Sequence, residues 1–147
     1  MNAPIRTRTT FRLEDYPFRM ADNVRYSDLD PNKHVNNAIY ATYFETSRVT
    51  LLRSGDRGLM PRGFSWMLVH LAIDFRAEMH WPGRFDLGIG IVKLGRTSST
   101  FEQVVFANGV CTASAETVTV LVDAETRKPT PLTPEIIERF QPWLLRR

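Results

Sequence analysis

The clearest alternation of apolar and polar positions in this chain runs from Ser65 to Met79. Met67, Val69, Leu71, Ile73 and Phe75 fall on one side of a two-residue period, and Leu68, His70, Ala72, Asp74, Arg76 and Glu78 on the other. One apolar face predicts a half-buried antiparallel strand. Phe85, Leu87, Ile89 and Ile91 repeat the pattern against Asp86, Gly88, Gly90 and Val92. Two glycines on one face weaken a strand, so this pattern predicts that a helix or a ligand approaches that face closely. Thr100–Ala107 and the Thr- and Val-rich Val110–Val122 complete the series. Trp81-Pro82-Gly83, Gly95–Ser99 and Asn108-Gly109 separate the strands, and the last is a strong hairpin signal.

Upstream the period changes. Tyr40, Tyr43, Phe44, Ser47 and Leu51 form one helical stripe with Ile39 at its border, predicting a helix over 36–53. That stripe is too apolar to stand alone and needs a sheet to cover it. The pattern therefore predicts an α+β fold, an antiparallel sheet of five or more strands wrapped around one long central helix. Thr133-Pro134-Glu135 starts a short C-terminal helix over 133–145, with Thr133 as cap and Pro134 in the first turn. Residues 1–16 are expected to form a loosely ordered arm; Arg6, Arg8 and Arg12 are followed by no apolar region of a secretory signal.

The length of 147 residues predicts a single domain over 1–147, able to bury about two-thirds of its unfolded surface. The net charge is +3, with both signs spread along the chain. No basic stripe with interleaved aromatics appears, so no nucleic-acid partner is expected. The charge suits a small anionic ligand. The single Cys111 excludes an intrachain disulfide and fits a reducing compartment, here expected to be the cytoplasm. No apolar run reaches membrane-spanning length, and no membrane association is expected. His and Cys never cluster with ligand spacing, so neither a metal nor a cofactor is expected.

The chemistry concentrates between Arg25 and Arg48. Asp30, Asn32, His34, Asn36 and Asn37 gather in one polar turn immediately before the predicted helix. A carboxylate, a carboxamide and an imidazole at a helix N-terminus can polarise a carbonyl and activate water. Capping and turn formation account for one or two such residues, not five. Asp28 and Asp30, two apart on an extended segment, share a face, so periodicity does not separate them.

The string D-x-D-x-N-x-H-V-N-N-x-x-Y, from Asp28 to Tyr40, resembles the signature of hotdog-fold thioesterases. It is similar both to acyl-CoA thioesterases of the hydroxybenzoyl-CoA type and to plant acyl-ACP thioesterases. The resemblance implies a single hotdog domain that hydrolyses acyl-CoA, or acyl-ACP, to a free acid and a thiol in lipid metabolism. It also implies protomers paired edge to edge as a homodimer or homotetramer. Motif position makes Asp30 the general base or nucleophile, with Asp28 bracing the turn, and gives the oxyanion to the backbone N–H of Asn37. Asn32 and His34 match positions that acyl-ACP thioesterases use to assist the carboxylate; the hydroxybenzoyl-CoA type does not use them.

For substrate binding, the resemblance places Tyr40 on the acyl pocket. Arg96, Thr97 and Ser98 would line a groove for the pantetheine arm and phosphates, or else form only a polar turn. Glu45 and Arg48 match a structural salt bridge, and Lys33 sits where many relatives carry glycine. Either Arg57 or Arg62 could reach a nucleotide. His70, His80 and Cys111 read as surface, turn and packing residues. Two other functions stay open: a hotdog enoyl-thioester hydratase or dehydratase, and a non-catalytic acyl-thioester-binding protein.

Overall fold

The computed structural model describes residues 9–147. Its sheet is organised by the strongest turn signal. Asn108 and Gly109 both take left-handed backbone angles, φ 51° and 75°, as a two-residue hairpin requires. They join β4 (Ser98–Ala107) to β5 (Val110–Asp123). With β1 (Phe18–Asn23), β2 (Phe64–Phe75) and β3 (Arg84–Leu94) these form one five-stranded sheet. Every pairing is antiparallel, and the order is β1-β3-β4-β5-β2, leaving β1 and β2 at the edges.

The helix α1 (Ile39–Arg53) lies across one face and is 15 residues long, shorter than the expected 36–53. Its start is delayed because the asparagines offer the backbone other partners. Ile39 and Tyr40 donate to the carbonyls of Asn36 and Asn37, and Ala38 donates to the Asn36 side chain. Such side-chain and tight-turn bonds compete with α-helix. Tyr40, Tyr43, Phe44 and Leu51 then pack on Phe85, Leu87, Phe101 and Val105 of the sheet. One polar residue anchors the pair: the buried Gln103 donates to the Phe44 carbonyl (2.8 Å) and the Ser47 hydroxyl (2.9 Å) and accepts from Thr117 (2.8 Å). Arg48 turns inward to the same Gln103 at 3.4 Å, so its partner is this amide and not the expected Glu45.

The edge strand β2 departs from its predicted alternation. The register shifts between Leu68 and His70, and the extra residue inverts the facing of everything before it. Phe64 and Trp66 therefore join Leu71 and Ile73 against the core, while Met67, Leu68 and Val69 are exposed.

On the outer face, Gly88 and Gly90 do admit a close approach, but of the chain's own segments and not a helix or a ligand. A Cβ on Gly88 would lie 3.0 Å from Tyr16, and one on Gly90 2.8 Å from Leu145 and 2.9 Å from Pro17. Tyr16 is fully buried and follows a short 3-10 turn, Leu13–Asp15. The arm expected over 1–16 is thus packed from Phe11 onward; residues 1–8 lie outside the described residues. The C-terminal helix α2 (Pro134–Phe140) is capped by Thr133, which accepts from the Ile136 N–H, and gives way to a 3-10 turn at Gln141–Trp143. Beyond it, Leu145 donates to Ile91 and Arg146 to Asp15. Arg147 and the Tyr16 hydroxyl both engage the buried Glu102.

Gly90→Ala is expected to lower the unfolding free energy by about 1–3 kcal/mol through overpacking. Urea denaturation would show it as a reduced midpoint at constant slope.

Candidate active site

The segment carrying Asp28 and Asp30 was expected to be extended, but Tyr26–Asp28 is a 3-10 turn. Asp28 is buried beneath α1. Its Oδ2 accepts from the Tyr43 hydroxyl at 2.6 Å and the Arg25 N–H at 2.9 Å, and its carbonyl accepts from Asn36. Burial, and then the hydrogen bond to Asp28, push the Tyr43 phenol far above its ordinary range and keep it a donor. Asp28 is thus the brace, and Asp30 stands apart from it.

The turn closes around Asp30. Its N–H donates to His34, its carbonyl accepts from Lys33, and Leu29 bridges Val35. Asp30 Oδ1 accepts from the N–H groups of Asn32 (2.9 Å) and His34 (3.4 Å). Oδ2 has no donor among the described residues, so one oxygen fixes the side chain and the other is left for chemistry. Asp30 borders a cavity of about 240 Å³ shared with His34, Asn37, Tyr40, Phe75 and Glu78. Of the backbone N–H groups of residues 36–40, that of Asn37 alone has no acceptor among the described residues. It lies at the positive end of α1, where developing negative charge is favoured.

The other expected site residues divide. His34 and Tyr40 line this cavity; burial raises the Tyr40 phenol's pKa. Asn32 is exposed at the turn's tip and contributes its backbone N–H. Arg96, Thr97 and Ser98 lie at the far ends of the strands, where their carbonyls accept from Leu132, Leu121 and Gly95. Met67 in β2 marks that end and Phe75 the cavity end; eight residues of strand separate the two by roughly 25 Å. One copy of the chain does not bring them together. Arg57 is occupied elsewhere, donating to the Thr50, Leu51 and Ser54 carbonyls at the end of α1 and stacking on Phe18 and Trp143.

Two residues make contacts at the site that the sequence reading did not foresee. β2 ends at Phe75, and the loop after it turns back over the site, with Met79 accepting from the Val35 N–H. Glu78 Oε2 thereby reaches His34 Nε2 at 3.4 Å and His80 Nε2 at 3.7 Å, and the two imidazoles meet edge to face at 5.3 Å. His80 is therefore more than a turn residue. Its only signal was two histidines and a glutamate flanking opposite sides of the helix in sequence. Among the described residues no group of three His, Cys, Asp or Glu side chains is arranged to hold a metal ion. His70 pairs with Glu116 at 3.1 Å on the surface, and burial pushes the Cys111 thiol up to about 11, consistent with packing.

The model of the thioesterase-like superfamily matches residues 24–140. The chain belongs to that superfamily, and its sheet wrapped around one helix is the hotdog fold. A thioesterase of Thermus thermophilus, solved with coenzyme A and zinc, is 32% identical, with a TM-score of 0.76 over 87% of this chain and 94% of its own. The PA5185 protein of Pseudomonas aeruginosa is 25% identical, with a TM-score of 0.80 over 90% of this chain and 95% of that one. A DHNA-CoA thioesterase of Staphylococcus aureus shares the fold at 19% identity and a TM-score of 0.73, over 83% of this chain and 87% of its own. Among the described residues no helix is long and apolar enough to cross a membrane.

Tyr43→Phe in this thioesterase-superfamily chain is expected to cost about 1–3 kcal/mol, since the buried Asp28 carboxylate loses a donor. Thermal denaturation alongside hydrolysis of a thioester would show stability and turnover falling together.

Proposed function

We propose that this chain hydrolyses acyl-CoA thioesters, with Asp30 as the reacting carboxylate and the Asn37 N–H as oxyanion donor. One observation carries the reading: Asp30, with an oxygen to spare, and Asn37 border the same cavity. As a base, Asp30 takes a proton from water while the water oxygen bonds to the carbonyl carbon. The C–S bond then breaks, and the departing thiolate recovers the proton as free CoA. As a nucleophile, Asp30 first forms a mixed anhydride that water hydrolyses, with the same products. Both routes place negative charge on the carbonyl oxygen, where a preorganised donor is worth most. His34, held toward Glu78, is positioned to assist the proton transfers. The Thermus relative solved with coenzyme A supports CoA as the thiol.

The site is completed by a second copy. Arg96, Thr97 and Ser98 carry suitable groups for phosphate and amide recognition, yet lie a strand's length from Asp30 in the same chain. The exposed edge of β2, with Met67, Leu68 and Val69 apolar, is where another copy's strand can pair.

Asp30→Asn should lower kcat for thiol release by on the order of 10²–10⁴-fold with unchanged circular dichroism. Near-normal turnover would remove Asp30 from its role, and hydration of an enoyl-CoA without thiol release would replace hydrolysis altogether. Mixing Asp30→Asn and Arg96→Ala chains tests the shared site. If each site takes one residue from each copy, mixed dimers regain one intact site, and activity at low substrate recovers to about a quarter of wild type. No recovery after confirmed subunit exchange places both residues in one chain's site.

A further inference from the structure

Asp30 borders a second cavity, of about 390 Å³, lined also by Tyr26, Leu29, Pro31, Lys33 and Trp81. Tyr26 and Trp81 meet edge to face with centroids 5.1 Å apart, and remain 66% and 47% exposed. The aromatic stripe of α1 offers little comparable surface, because Tyr43 and Phe44 are buried in the core. Large rings left open beside a cavity are where an apolar ligand gains most from burial.

Lys33 adds a charge at a backbone position that disfavours it. Its φ of 65° is left-handed, a conformation that glycine adopts freely and a side-chain-bearing residue does not. Its ammonium takes part in no ion pair among the described residues. Asp30 disfavours a second anion in this cavity unless a cation offsets it, and Lys33 is the cation that lines it.

We propose that this cavity receives the substrate's acyl group, and that this group is a planar aromatic ring bearing its own carboxylate, seated against Tyr26 and Trp81 and paired with Lys33. The assignment rests on Asp30 as the reacting carboxylate. The thioester carbonyl then lies beside Asp30 and the acyl group begins one bond away, while the nucleotide of CoA is held off by the whole pantetheine arm. A chamber walled by Asp30 accordingly takes the acyl side.

Two measurements on the full chain test this. In thiol-release assays, 4-carboxybenzoyl-CoA should exceed benzoyl-CoA in kcat/KM by about tenfold or more, as a charge-assisted contact predicts. Lys33→Gly should bring the ratio to within about twofold of unity while raising the melting temperature, because the left-handed strain is relieved. Trp81→Ala should lower kcat/KM for both aryl thioesters relative to acetyl-CoA. In parallel, calorimetry should show 4-carbamoylbenzoate, whose neutral amide stands in for the thioester, binding more tightly than benzamide, with the difference lost in Lys33→Gly. Hydrolysis with no preference for the charged ring, or a preference that survives Lys33→Gly, overturns this assignment and leaves the hydrolytic reading standing. If no thioester is hydrolysed, the hydrolytic reading fails. The calorimetry then decides the cavity: Lys33-dependent selection of 4-carbamoylbenzoate over benzamide supports it, and equal binding of the two overturns it.

Discussion

Asp28 Oδ2 accepts from both the Tyr43 hydroxyl and the Arg25 N–H, and through this one buried oxygen the turn carrying Asp30 is fastened to α1. A carboxylate under a helix is tolerable only when donors surround it. Here the donors come from the segment before the turn and from the helix after it, while the Asp28 carbonyl takes the Asn36 N–H. The turn is thereby closed on a fixed base. Asp30 sits two residues beyond this base, half-buried and bordering the cavity, with one oxygen engaged by backbone amides. Two aspartates of the same chemistry thus have opposite circumstances: Asp28 is enclosed, and Asp30 stays partly accessible.

The same division runs through the sheet. Gln103 bonds to Phe44, Ser47 and Arg48 of α1, so a neutral amide fastens the helix to the middle of β4. On the opposite face, glycines on β3 let the segments around Tyr16 and Leu145 lie flat against the strand. Both faces of the sheet's middle are then packed, and β2 keeps an exposed edge with apolar residues. Phe75 at one end of β2 and the loop beyond it border the cavity that holds Asp30, while the apolar Met67, Leu68 and Val69 lie toward the opposite end of the strand.

Much of this was legible from local chemistry. The Asn108-Gly109 hairpin, the Thr133 cap and the helical stripe of Tyr40, Tyr43 and Phe44 depend on near neighbours in sequence, and each appears where its pattern predicts. Asp30, His34, Asn37 and Tyr40 were recognisable because they lie within one short motif, and the fold keeps them on one cavity. The meeting of Glu78 and His80 with His34 was not legible. It depends on a loop returning over the turn, held by the Met79 carbonyl and the Val35 N–H, and no periodicity encodes that return.

Spacing and residue type were sufficient for the elements, the polar turn and the superfamily, because those are properties of short stretches whose backbone preferences act locally. Long-range packing alone decided which aspartate was enclosed, which face of β2 turned inward on either side of its bulge, and what covered Gly88 and Gly90. It also separated Arg96, Thr97 and Ser98 from Asp30. Each of these outcomes depends on partners distant in the chain, and a side chain's solvation and reach are fixed only once such partners have closed around it.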